Sequence, residues 1–184
     1  MAVRDGAGQP VANAVIMIYP AVASADPVAF PWPYTVTQKD LTFDPYVLIV
    51  PVGADVTFPN RDKVRHHVYS FSPGNKFELK LYGREDKRFV KMKAAGVVAI
   101  GCNIHDQMAA FIRVVDTPYA AKTDASGNAT VRGVPTGGAT VKVWHPDLRS
   151  AKAEGVKQLP IPPQGVIRDT IALDLRAAMP GMKH

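Results

Sequence analysis

The sequence predicts an all-β chain of sandwich type, and three observations carry that prediction. Helical periodicity is almost absent. Short β-branched or alternating runs recur along the chain, each bounded by Gly, Pro, Asn or Asp. Sixteen prolines in 184 residues disfavour a helical bundle, because proline removes a helix donor and clashes with the preceding turn.

The runs fall at 14–19, 46–51, 55–58, 67–71, 97–101, 111–115, 129–131, 140–144 and 167–175. The first follows turn residues and is too short for the apolar core of a signal peptide, so it reads as a strand. Only 147–155 and the tail from Arg176 read as helical. Two composition breaks divide the chain. Residues 20–34 hold Pro20, Pro27, Pro31 and Pro33 and read as an extended connection, and Asp116-Thr117-Pro118 punctuates again. The expected organisation is therefore a middle domain over 36–116 and a discontinuous second domain made of 1–35 plus 117–184. Such an insertion is physically ordinary, because a domain's own termini often lie close together.

Composition excludes several classes of function. The 47% apolar fraction suits a globular core and is too high for a disordered chain. No run approaches the roughly 18 apolar residues of a membrane span, so no integral membrane segment is expected, and peripheral membrane association stays open. A single cysteine rules out a disulfide within the chain and any four-thiolate zinc or iron–sulfur site built from one chain. The formal charge of +6 favours acidic partners. The densest basic stretch, 76–93, mixes seven cations with Glu78, Glu85 and Asp86 and reads as a solvated face. It lacks the aromatic–basic interleaving of an RNA-binding sheet, so no nucleic acid is expected.

The chemistry gathers around that one cysteine. Gly101-Cys102-Asn103-Ile104-His105-Asp106-Gln107-Met108 is Cys-x2-His-x2-Met on a short loop between two strands. Five histidines and six methionines in the chain make this spacing a chance event of roughly one in a thousand. Thiolate, imidazole and thioether are soft or borderline donors, the set that suits copper in two oxidation states. A plane of one thiolate and two imidazoles needs a second histidine, and His66-His67 stands upstream, after the polar turn that begins at Asn60. Adjacent strand residues face opposite sides, so only one of the pair can serve. The spacing from Asn60 favours His66, which leaves His67 as a partner to a ligand, a surface residue or part of a second site.

Residues 36–116 resemble the cupredoxins, the small blue-copper proteins, and among them look closest to the amicyanins. The shared features are Phe43-Asp44-Pro45, the stretch from Val50 to Phe58, Asn60 with a histidine six residues later, and the Cys102, His105, Met108 loop. The flanks resemble the carboxypeptidase regulatory-like module, a small immunoglobulin-like β-sandwich, on Gly8-Gln9-Pro10-Val11 and on Thr123-Asp124-Ala125-Ser126-Gly127-Asn128-Ala129-Thr130. The combined arrangement is similar to proteins catalogued as methylamine utilization proteins. These resemblances imply a cupredoxin-like Greek-key sandwich inserted in or joined to an immunoglobulin-like sandwich. They imply one type 1 copper per chain, with His66, Cys102 and His105 in the plane and Met108 as the weak axial ligand. Where amicyanins carry Pro before the ligand histidine and Asn after it, this chain has Arg65 and His67.

The function so implied is single-electron transfer between periplasmic redox partners, not catalysis, since four protein ligands leave no position for a substrate. The edge of His105 is expected to reach an apolar patch to which Ala109, Ala110 and Phe111 contribute. The basic residues are expected to steer an acidic redox protein. An exported protein whose leader has been removed is the expectation consistent with that compartment. Two other functions compete: a copper chaperone or store, and a non-redox interaction module whose cupredoxin domain is a relic. No Ser-His-Asp order, phosphate-cradling glycine loop or His-Glu-x-x-His appears. His145 reads as a strand-end residue, and Met179, Met182 and His184 as a frayed tail.

Overall fold

Fifteen strands and no helix make up the residues that the computed structural model describes, 1–22, 27–150 and 154–176. In chain order they are β1 (Ala2–Asp5), β2 (Val15–Pro20), β3 (Thr37–Lys39), β4 (Thr42–Asp44) and β5 (Val47–Pro51). Then come β6 (Asp55–Thr57), β7 (His66–Ser70), β8 (Phe77–Tyr82), β9 (Phe89–Lys91) and β10 (Gly96–Cys102). The last five are β11 (Ala109–Val115), β12 (Ala120–Lys122), β13 (Gly137–Trp144), β14 (Gly155–Ile161) and β15 (Thr170–Leu173). Their contacts separate a middle unit, Val28–Asp116, from a flanking unit built of Met1–Pro27 and the chain from Thr117 onward.

The middle unit is a β-sandwich. Its main sheet runs β5-β11-β10-β7-β8, with β5 parallel to β11 and the other pairs antiparallel. The second layer is the β6–β9 pair, extended by parallel bridges from Thr35 to Thr57 and from Gln38 to Asn60. Val56, Phe58 and Met92 from this layer join Val68, Val98, Ile100 and Ile112 from the main sheet in one buried core. Each such side chain contributes about 1.5–3 kcal/mol by leaving water, and period-two alternation decides which ones do. In β7, His66, Val68 and Ser70 are buried and His67 and Tyr69 are not; in β10, Val98, Ile100 and Cys102 are buried. The antiparallel neighbours β7 and β10 therefore carry an inward histidine and an inward cysteine at the same end of the pair, in a register that sets Cys102 opposite Val68.

Residues 28–35, expected with the flanking unit, pack on the middle unit instead. Trp32 and Tyr34 lie against its core, Phe30 stacks on Trp32 at 4.7 Å, and Trp32 Nε1 donates to the Ile49 carbonyl at 2.9 Å. The proline-rich connection ends earlier than composition suggests because aromatic residues between the prolines find apolar surface.

In the flanking unit, β12-β2-β13-β14 form one antiparallel sheet and β1 pairs with β15 in parallel. The Thr-Asp-x-x-Gly motif has a physical basis. Thr123 Oγ1 accepts the Ala14 N–H and donates to the Val11 carbonyl, while Asp124 Oδ1 accepts the N–H groups of Ser126 and Asn128. Gly127, at φ +69°, has Val3 O and Val11 N within 2.6 and 2.8 Å of where a Cβ would sit, so no other residue fits there.

Two sequence readings are corrected in this unit. Residues 129–131 form no strand, since Ala129 exchanges backbone bonds with Met1 alone. The helical reading of 147–155 fails at both described ends. A turn closes on Leu148, whose N–H donates to the His145 carbonyl, and Gly155 opens β14. Residues 151–153, and the tail beyond Arg176 with Met179, Met182 and His184, lie outside the described residues. His145 does sit at a strand end with both ring nitrogens used, Nδ1 accepting the Asp147 N–H and Nε2 facing the Ala12 carbonyl.

Candidate metal centre

His66, Cys102 and His105 converge. Cys102 Sγ lies 3.6 Å from His66 Nδ1 and 3.8 Å from His105 Nδ1, and the three donor atoms all fall within 4.8 Å of one another. Bond lengths of about 2.0 Å to nitrogen and about 2.3 Å to sulfur, at angles between tetrahedral and trigonal, put such donors about 3.5–3.8 Å apart. The two sulfur–nitrogen distances fit one ion held by all three residues, and a thiolate with two imidazoles is a donor set suited to copper.

Each donor is placed by its own element. His66 opens β7 and Cys102 closes β10, so two sheet neighbours deliver the imidazole and the sulfur. His105 comes from the loop that joins β10 to β11, which the backbone draws tight. The Met108 N–H donates to the His105 carbonyl at 2.9 Å, the Cys102 N–H to the Met108 carbonyl at 3.2 Å, and the Asn103 N–H to the His67 carbonyl at 3.1 Å. Met108 is 2% exposed and packs in the core beside Cys102, so the loop returns it to the cysteine's backbone. A groove of about 490 Å³ opens over Cys102 and Met108, with Tyr69, Phe71, Asn103 and Asp106 among its walls.

His66 is held from behind. It is fully buried, and its Nε2 lies 2.8 Å from Asp62 Oδ2. Burial pushes the Asp62 carboxyl up, but bonds from His66 and from the N–H groups of Leu41 and Asp40 outweigh it and hold the carboxyl below the ordinary carboxylate range. An ionised carboxylate only accepts, so Nε2 carries the ring proton and Nδ1 turns its lone pair toward Cys102. The two N–H groups come from the β3–β4 turn, where Asp40 and Leu41 both adopt left-handed backbone, at φ 55° and 57°. Asn60 completes the support, accepting the Asp62 N–H and donating to the carbonyls of Val64 and Tyr82.

His67 points the other way. Its Nε2 lies 2.9 Å from Glu78 Oε1 on the outer face of the sheet, and among the described residues the donor cluster does not include it. Of the two adjacent histidines, the inward alternation of β7 sets His66 beside Cys102 and turns His67 away from it. Arg65, which takes the place of a proline before the histidine, is exposed. The expected apolar patch is corrected at Ala110, which is 1% exposed in the core; Ala109 lines the groove, and Phe111 is half-buried edge-on to Tyr46.

Sequence reasoning gave Asp62 no role, although a carboxylate four residues before the histidine, across a polar turn, was a usable signal. It also passed over the buried pair behind the site. Tyr82 OH donates to the Phe58 carbonyl at 2.9 Å, and Gln38 Nε2 donates to the same carbonyl and to Tyr82 OH.

No protein-family model and no curated protein sequence matches the chain. Among solved structures it is similar to the copper-containing nitrite reductase of Thermus scotoductus SA-01, at 28% identity over 53% of this chain and 25% of that one, with a TM-score of 0.43. It is similar to a purple cupredoxin from Nitrosopumilus maritimus, at 22% identity over 44% of this chain and 98% of that one, with a TM-score of 0.40. It is also similar to a variant of amicyanin in its Cu(I) form, at 24% identity over 54% of this chain and 98% of that one, with a TM-score of 0.41. The chain thus spans a quarter of the nitrite reductase's length.

Proposed function

We propose that the middle unit is a type 1 copper protein that carries single electrons between redox partners in the periplasm. One observation carries the reading: the buried Cys102 sulfur lies within 3.6 and 3.8 Å of two imidazole Nδ1 atoms, one at the start of β7 and one on the loop after β10. In this reading His66, Cys102 and His105 would hold the ion, with Met108 as a fourth, weaker donor. The ion supplies a one-electron couple, Cu(I)/Cu(II). The chain keeps the donors fixed through both states, because Asp62 locks His66 and three backbone bonds lock the Cys102–Met108 loop. A carrier is favoured over an enzyme because four protein donors would leave no position for substrate. The exposed cations favour an acidic redox protein as partner. The flanking unit is read as an immunoglobulin-like sandwich of the carboxypeptidase regulatory-like kind, on the ordered Thr123–Gly127 turn.

The test is a visible spectrum of the copper-loaded chain. The reading expects an intense thiolate-to-copper band that Cys102→Ser abolishes; a loaded wild-type chain without that band refutes it. A copper store is the second reading, favoured by the groove that reaches Cys102 and Met108. Rapid loss of the ion to a mild chelator would select it.

A further inference from the structure

The sequence spreads its cations widely, but the fold collects six of them beside the candidate centre. Strands β7 and β8 are antiparallel with His66 opposite Tyr82, so the chain just before His66 and the chain just after Tyr82 run side by side. Arg84 ties the two loops together, its Nε donating to the Asp62 carbonyl at 2.8 Å and its Nη2 to the Arg61 carbonyl. The Arg65 Cγ comes within 4.0 Å of the space over Gly83. Arg61, Lys63, Arg65, Arg84, Lys87 and Arg88 are all exposed on these loops.

Three carboxylates share the surface, and two are already engaged. Asp62 faces His66, while Asp86 takes the Gly83 N–H and pairs with Arg88 at 3.3 Å, which leaves Glu85. Among the described residues no carboxylate pairs with Arg61, Lys63, Arg65 or Lys87. Unneutralised cations at this density repel one another unless an anionic surface covers them. The patch is also wired to the site: Asp62 Oδ2 lies 2.8 Å from His66 Nε2, and the same ring's Nδ1 lies 3.6 Å from the Cys102 sulfur.

We propose that the paired loops 61–65 and 83–88 are a docking surface for an acidic redox protein, which they bring to the His66 side of the centre. The proposal rests on the electron-carrier reading and adds where the partner sits. One electron passes between the copper couple and the partner's own redox group, so that one is oxidised as the other is reduced, and no proton or bond moves. A protein is favoured over nucleic acid because the cations form a compact cluster at the end of one strand pair, whereas a polynucleotide needs a track along its backbone.

The test uses the full chain and separates docking from redox chemistry. A hexaglutamate peptide titrated into 15N-labelled chain is expected to shift the amides of 61–65 and 83–88. Replacing Arg61, Lys63, Arg65 and Lys87 together by Gln is expected to weaken the peptide by about tenfold or more at low salt. Replacing the two lysines by Arg, with Arg61 and Arg65 kept, is expected to preserve binding. In the copper-loaded chain, the Gln variant should keep the visible band but slow oxidation by hexacyanoferrate(III) several-fold, a difference that closes toward about 1 M salt. Shifts that map elsewhere, an unchanged rate, or tighter cation-dependent binding to a DNA duplex or a phosphatidylserine vesicle than to the peptide would overturn the proposal. Absence of the visible band in wild-type chain would refute the carrier reading separately, since the peptide map does not depend on copper.

Discussion

Two histidines adjacent in the sequence make the same bond and do different work. His66 Nε2 lies 2.8 Å from Asp62 and His67 Nε2 lies 2.9 Å from Glu78. The first pair is 0% and 11% exposed at its side chains and the second 15% and 55%. A surface pair of the second kind contributes about 0–1 kcal/mol, because water competes for both partners. The first pair is shut off from water and its other ring nitrogen faces a sulfur, so the carboxylate sets which nitrogen is left to bind. In the proposed reading, the role of each ring follows from which side of β7 it emerges on.

The comparison breaks most readily at the rings themselves. His66→Ala removes a donor and is expected to abolish the thiolate band, while His67→Ala leaves the band in place; parallel copper titrations followed optically decide it. Equal loss in both variants would mean that the outward histidine also reaches the metal. A smaller effect comes from the carboxylates. Asp62→Ala is expected to weaken copper binding by about 10–100-fold, the usual cost of removing a partner behind a ligand. Asp62→Asn should recover part of it, and Glu78→Gln should change nothing, as competition with a chelator of known affinity would show.

The smallest expected effect tests the support behind His66. Tyr82 is 1% exposed, and burial pushes its hydroxyl up to about 12 from 10. The unfolded chain therefore ionises first as pH rises. Stability from this group is intact below pH 10 and falls between 10 and 12, by about 1.4 kcal/mol per pH unit. Tyr82→Phe removes that alkaline slope and, at neutral pH, costs about 1–2 kcal/mol by stripping a buried bond from Gln38 and from the Phe58 carbonyl. Urea unfolding of both proteins across the alkaline range reads both effects.

Much of this was legible in the sequence where side-chain chemistry repeats at a fixed spacing. Cys102, His105 and Met108 share one short loop, so spacing alone grouped them; His66 and His67 needed the burial of Val68 and Ser70 to say which ring faces in. Strands β8 and β9 were hidden inside a charged stretch, because β8 lies at the sheet edge and exposes Glu78 and Lys80 between its apolar residues. The β3–β4 hairpin was hidden too. Its turn is Asp40-Leu41, with no glycine to announce left-handed backbone, and the carboxylate that receives the turn's N–H groups lies far along the chain at Asp62. Contacts that join distant segments leave no local pattern to read.

The central claim is that one thiolate and two imidazoles surround a single ion. Copper-edge X-ray absorption of the loaded chain measures this most directly. The account predicts a short copper–sulfur contact and two imidazole nitrogens, with the sulfur lost in Cys102→Ser and one imidazole lost in His66→Ala but not in His67→Ala. A first shell of nitrogen and oxygen only in the wild-type chain would contradict it.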